Sequence, residues 1–286
     1  MTTIAFLGTG LMGAAFVRRA RTNGLAVRAW NRSPSKAQAL AAGDAGITAC
    51  ASVADAVRGA ERIHLSLGDD ASVDAVLEPL AGSLPAGAWV VDHTTTAVRP
   101  TAERVARWDA RGVRYVHAPV FMGPANCVEG TGWMLISGDP ARHAALQGPL
   151  KAMTGSLIYL GPEPGRAAAF KLFGNLTILG ILGVLGDVGK LAAAVGIEMK
   201  DAIGLFEHFN PGQTLLQRAR RISDGVWQPA SFEMSMARKD VRLMIEEAAR
   251  GGQALAMMPA LAALLDAGVE RGEAALDVAA AVRVLR

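Results

Sequence analysis

The chain has 286 residues, 51% of them hydrophobic, and a formal net charge of +3. That length can bury one large core or form two domains, while the scattered basic residues and small charge exclude a nucleic-acid-binding surface. Two cysteines, Cys50 and Cys127, exclude a disulfide framework, and no cysteine or histidine spacing points to a metal.

The N-terminus opens directly on an apolar, β-prone run, Thr3–Leu7, with no targeting segment before it, so the cytoplasm is the expected location. Gly8, Gly10 and Gly13 follow in G-x-G-x-x-G spacing. Gly8 allows a tight turn, Gly10 a close approach of pyrophosphate to the backbone, and Gly13 the packing of a new helix on the strand. A helical stretch from Ala14 to Thr22 and a second strand at Ala26–Trp30 complete the βαβ context of a dinucleotide site. Without a nucleotide the same pattern would be a glycine-rich strand-to-helix turn.

The residue type after the second strand distinguishes the two nicotinamide dinucleotides. An acid there holds the ribose 2′-OH of NAD. Here the strand runs into Asn31, Arg32, Ser33 and, slightly later, Lys36. A guanidinium, a hydroxyl and an ammonium suit a 2′-phosphate. The expected cofactor is therefore NADPH/NADP+.

Further strands are expected at Ile47–Ala49, Arg62–Leu67, Trp89–Asp92, Arg114–Ala118, Gly132–Ser137 and Leu157–Tyr159, with Pro79, Pro85, Pro100 and Pro140 in the connections. Strands alternating with helices predict an α/β Rossmann-type, doubly wound parallel sheet. After Gly161-Pro162-Glu163-Pro164-Gly165 the strands stop. The predicted division is a dinucleotide domain at 1–162 and an all-helical domain at 163–286. Helices are expected at Arg166–Val195, Lys200–Asn210, Gln213–Ile222, Phe232–Arg250, Ala254–Arg271 and Asp277–Leu285. The first is apolar, but Lys171, Asn175, Asp187 and Lys190 interrupt it, so it reads as a buried helix and not a membrane span. Gly180, Gly183, Gly186 and Gly189 each cost about 1 kcal/mol relative to alanine. Close approach of another helix would offset that, in the same chain or in a second subunit. The second is favoured, hence a homodimer or higher homo-oligomer.

Lys171 and Asn175 share one face of that helix, four residues apart and otherwise among apolar neighbours. Burial would lower the lysine pKa towards the range of a general acid/base. A lysine snorkelling from a core helix has the same pattern. Five histidines (His64, His93, His117, His143 and His208) are scattered. His93 and His117 follow strands and could line a cleft, though a structural role is expected for each.

Several motifs together resemble the β-hydroxyacid dehydrogenase family, over essentially the whole chain. They are G-x-G-x-M-G at Gly8 to Gly13 with Leu11 and Met12 inside it, A-P-V at Ala118–Val120, G-T at Gly130-Thr131, K-x-x-x-N at Lys171–Asn175, and Phe232 followed by Lys239-Asp240. The resemblance implies that Lys171 is the general acid/base and that Asn175 orients the substrate. It implies that Leu67, Gly68 and Thr94 or Thr95 touch the cofactor, that Lys239 reaches cofactor or substrate with Asp240 beside it, and that Phe232 lies near the nicotinamide. Where the family carries Ser-Gly-Gly to bind a substrate carboxylate, this chain has Phe121, Met122 and Gly123. A phenyl ring and a thioether donate no hydrogen bond to a carboxylate. This apolar segment is similar to the related imine reductases, whereas Lys171 is dehydrogenase-like. Three readings follow: an NADPH-dependent oxidoreductase of a hydroxy acid or semialdehyde, an NADPH-dependent imine reductase, and a catalytically silent NADPH-binding module.

Overall fold

Strict alternation along the first strand decides which side chains serve which layer. In the computed structural model, which describes residues 1–84 and 88–283, β1 (Thr3–Leu7) puts Ile4 and Phe6 into one apolar layer and Ala5 and Leu7 into the other. All four are fully buried. The other strands are β2 (Ala26–Trp30), β3 (Ile47–Ala49), β4 (Arg62–Leu65), β5 (Trp89–Asp92) and β6 (Arg114–His117). They form a six-stranded parallel sheet in the order β3-β2-β1-β4-β5-β6. The order reverses between β1 and β4, which makes their carboxyl ends the place for a ligand crevice. Helices α1 (Leu11–Thr22), α2 (Pro34–Ala42), α3 (Val53–Val57), α4 (Asp70–Leu77) and α5 (Val98–Ala110) connect the strands.

Two expected strands do not join that sheet. β8 (Trp133–Ile136) and β9 (Ser156–Tyr159) pair in parallel in a separate three-stranded sheet, with the short β7 (Val120–Phe121) antiparallel to β8. Pro119 explains the break, because it lacks the N–H needed to extend the ladder beyond β6. Its carbonyl instead accepts from the Leu135 N–H at 2.8 Å. Helices α6 (Pro124–Glu129) and α7 (Pro140–Lys151) flank this sheet in sequence.

Helix α8 runs from Arg166 to Ala194. The chain divides into compact units at 1–175 and 176–286, so the division falls within this helix and not at 162/163. The first turns of α8 belong to the sheet unit for a packing reason. Ala167 and Ala168 are fully buried, and a Cβ on Gly165 would lie 2.8 Å from the Val98 carbonyl oxygen.

The second unit is helical: α9 (Met199–Gly204), α10 (Leu215–Asp224), α11 (Met234–Arg250) and α12 (Met258–Glu270). The expected helices 200–210 and 213–222 are shorter or shifted, with 3-10 turns at Leu205–Glu207 and Pro211–Thr214. The expected terminal helix is a 3-10 turn at Val278–Val282, and its last two residues, like Pro85, lie outside the described residues. Met234, Ala237, Val241, Ala262 and Leu265 form the core of α11 and α12.

The expectation that α8 is buried fails. Leu176, Leu179 and Leu182 are 74%, 64% and 58% exposed, and by length and composition alone the helix could cross a membrane. Its charged residues have local tasks. Asp187 is buried and accepts from the N–H groups of Ala256, Met257 and Met258, at 2.6, 2.7 and 3.2 Å, at the start of α12. Lys190 donates to the Ala254 carbonyl at 2.8 Å. Two of the four glycines meet methionines of the same chain. A Cβ at Gly183 would lie 2.9 Å from Met257 Sδ, and one at Gly189 3.2 Å from Met199 Sδ, whereas Gly180 and Gly186 face open space.

Candidate active site

The glycine turn after β1 is shaped by what cannot fit in it. Gly8 has φ +94°, and a Cβ there would sit 2.3 Å from the Ser66 carbonyl oxygen. A Cβ on Gly13 would sit 1.9 Å from the Gly8 carbonyl oxygen, so α1 packs hard against the turn. Gly10 has nothing within 4 Å of that position. It stands at the helix N-cap, where free N–H groups and the positive dipole end favour an anion. The turn is tied to β2 by two bonds: the Gly8 N–H donates to the Trp30 carbonyl, and the Thr9 N–H to Asn31 Oδ1, each at 2.8 Å.

A cleft of about 490 Å³ opens over this turn. It is lined by Gly8, Gly10, Leu11 and Met12 from the first turn, Asn31, Arg32, Ser33 and Lys36 after β2, and Leu67 and Gly68 after β4. Ser66 and Ser72 also line it, and no sequence motif singles them out. Gly13 lies behind the turn and lines no part of the cleft. Arg32, Ser33 and Lys36 are solvent-exposed, and β2 is not followed by an acid. A nicotinamide dinucleotide fits these features: room at Gly10 and a helix N-terminus for its pyrophosphate.

A smaller pocket of about 160 Å³ shares Met12, Ser66 and Leu67 with that cleft and adds His93, Thr94, Thr95, Met122 and Lys171. Two residues from different loops meet here, since the Leu67 N–H donates to Thr94 Oγ1 at 3.0 Å. Thr94 is buried and its N–H donates to Asp92 Oδ1 at 2.9 Å, while Thr95 is exposed. Lys171 enters from the second turn of α8. Burial lowers its pKa from 10.5, and its ammonium stands 4.4 Å over the Phe121 ring centroid. Asn175 lies one turn further on and is half-buried. Gly123 caps α6, and its N–H donates to Asn126 Oδ1 at 3.0 Å.

Behind the pocket lies a histidine pair that the sequence does not reveal as a pair. His93 Nδ1 is 2.7 Å from the Ala118 carbonyl oxygen and must donate to it. Nε2 of the neutral ring then accepts from His64 Nδ1, 3.0 Å away. Burial holds both rings neutral, His93 at a pKa of about 4 and His64 well below its ordinary value. Both stack with Phe6, and His93 with Phe16 at 4.6 Å between centroids. His117 Nε2 lies 2.8 Å from the Thr94 carbonyl oxygen, so it braces the same loop.

In the helical unit, Lys239 pairs with the adjacent Asp240 at 2.9 Å, both partly exposed on α11. Phe232 packs against the core of that unit. No group of histidines, cysteines and acids that could hold a metal occurs among the described residues.

A family model described as the NAD binding domain of 6-phosphogluconate dehydrogenase matches residues 3–161. A probable 3-hydroxyisobutyrate dehydrogenase of Mycobacterium bovis is 26% identical, over 100% of this chain and 98% of its own. Among solved structures, an imine reductase from Myxococcus stipitatus in complex with NADP+ superposes with a TM-score of 0.92 at 19% identity, covering 99% of this chain and 100% of that one. A reductive aminase from Aspergillus terreus in complex with NADPH and ethyl levulinate gives 0.88 at 23% identity, covering 99% and 98%. At these identities the two structures speak to the fold.

Proposed function

The chain belongs to the family defined by the NAD binding domain of 6-phosphogluconate dehydrogenase, and within it we propose an NADPH-dependent oxidoreductase with Lys171 as general acid/base. That it is a pyridine-nucleotide-dependent oxidoreductase accords with relatives named as dehydrogenases. One observation carries the finer reading. Lys171, the cation lining the smaller pocket, shares that pocket with Met12, Ser66 and Leu67, which also wall the glycine cleft.

The bound dinucleotide supplies or takes up the hydride. Gly10 and the N-terminus of α1 hold the pyrophosphate, and Arg32, Ser33 and Lys36 hold the 2′-phosphate. Leu67 and Thr94 fix the nicotinamide end through their mutual hydrogen bond. The Lys171 ammonium gives a proton to the carbonyl oxygen in reduction, and the free amine takes it back in oxidation. Desolvation prepares it for both by bringing its pKa down. Asn175, on the same face of α8, orients the substrate. The exposed apolar face of α8 is covered by a second copy, giving a homodimer through the helical unit.

A C=N acceptor is the second reading, favoured by the apolar Phe121-Met122 segment. The test is NADPH consumption against matched panels of semialdehydes, 2-oxo acids and cyclic imines. Carbonyl turnover with NADPH well above NADH is the expected result. Turnover of imines alone transfers the assignment to C=N reduction, and no turnover at all defeats both.

A further inference from the structure

Whether the substrate carries a carboxylate turns on the packing around Phe121. Gly174 stands three residues after Lys171 on α8, so both occupy one side of the helix. A Cβ at Gly174 would lie 2.2 Å from Phe121 Cζ and 2.4 Å from Cε1. The edge of the ring therefore sits in a notch that exists only because residue 174 has no side chain. The same ring carries the Lys171 ammonium over its face, 4.4 Å from the centroid.

We propose that Phe121 and Gly174 act together as a specificity device: the ring, seated over Gly174 and beneath Lys171, selects carbonyl or imine substrates that lack a carboxylate within a few bonds of the reacting carbon. This rests on the oxidoreductase reading above and narrows its substrate class.

Three features make this segment a poor anchor for a carboxylate. The side chains of Phe121 and Met122 donate nothing. The Gly123 N–H is already given to Asn126 Oδ1. An aromatic face carries negative charge density, which attracts the ammonium and repels a carboxylate approaching beside it. His93, in the same pocket wall, is engaged with Ala118 and His64 and offers no spare donor as a neutral ring. Lys171 itself must release its proton during reduction, so it cannot also remain a permanent counter-charge. A neutral alkyl or ester group instead meets the ring and the thioether as apolar surface.

The test uses 4-oxobutanoate and its methyl ester, which differ in that charge and one methyl group. Wild-type protein with NADPH should favour the ester in kcat/KM by about ten-fold or more. Phe121→Ser should move that ratio towards the acid by a similar factor. Phe121→Leu, which keeps an apolar wall, should hold the ester preference and shows that the protein tolerates change at this position. Gly174→Ala, which displaces the ring, should shift the ratio in the direction of Phe121→Ser. A binding readout separates the two claims: unreactive butanoate and methyl butanoate titrated into the NADPH-loaded protein, followed by nicotinamide fluorescence. Tighter binding of butanoate, no difference between the two, or a ratio untouched by Phe121→Ser overturns the inference. Preferential ester binding without NADPH oxidation of any carbonyl or imine upholds it and defeats the oxidoreductase reading instead.

Discussion

The glycine cleft and the Lys171 pocket are neighbours built on opposite principles. The floor of the cleft is a main-chain turn: two glycines that admit no Cβ, one glycine left open, and a helix N-terminus, all within six residues. The pocket is made by side chains that come from β-strand ends, β7 and α8, far apart in sequence. Local spacing can specify the first. The second exists only once the whole sheet unit has folded, and its chemistry depends on burial, which no short motif encodes.

The sharpest way to break this contrast is a pair of methyl groups. Gly13→Ala places a Cβ 1.9 Å from a backbone oxygen, where no flexible side chain can yield. It should lower unfolding free energy by about 3 kcal/mol or more and abolish NADPH binding. Gly10→Ala meets nothing within 4 Å, so chemical denaturation should show a change within about 0.5 kcal/mol. Its effect should appear only as weaker NADPH binding. Equal destabilisation by both would show that the turn is not shaped as described.

Acid probes the pocket side. His93 has a folded-state pKa of about 4 against 6.5 when free, and His64 shifts in the same direction. The unfolded chain therefore binds protons first as pH falls below 6.5. Stability should decline between pH 6.5 and 4, by up to about 3 kcal/mol from His93 alone. Urea titrations at pH 7 and 4.5 measure this. Asp277, held against its burial at a pKa of about 2 by the Ala279 and Ser231 N–H groups, the Ser231 hydroxyl and Arg221, supplies stability that is intact throughout most of that window and is lost only as pH falls from about 3.8 towards 2. A stability that stays flat from pH 7 to 4.5 would contradict the neutral pair.

A smaller effect is expected at the rim of the cleft. Arg32→Ala should reduce the preference for NADPH over NADH by about ten-fold, mainly through the Michaelis constant for NADPH, because only the 2′-phosphate loses a partner. Equal losses with both cofactors would place the guanidinium elsewhere.

How much was legible follows the same division. β1, the glycine turn and the cationic loop after β2 were readable because their chemistry is contiguous. The strand at Val120–Phe121 and the second sheet were not, since Pro119 diverts the chain in a way that strand propensity alone does not express. Lys171 and Asn175 stand out in the sequence by their helical spacing, but the ring beneath the ammonium and the notch at Gly174 do not, because residues 121 and 174 meet only in three dimensions. The histidine pair is hidden for the same reason: His64 lies in β4 and His93 just after β5, two strands that are neighbours only in the sheet. Helix α8 misled the reading, because an apolar 29-residue helix looks buried in sequence, whereas much of its surface is exposed in this chain.

The proton-transfer role of Lys171 is tested most directly by comparing Lys171→Ala with the wild type in two measurements on the same samples, NADPH affinity and turnover. The account predicts an unchanged dissociation constant for NADPH with kcat lowered by about 10² to 10⁴. Turnover within a few-fold of wild type would contradict it.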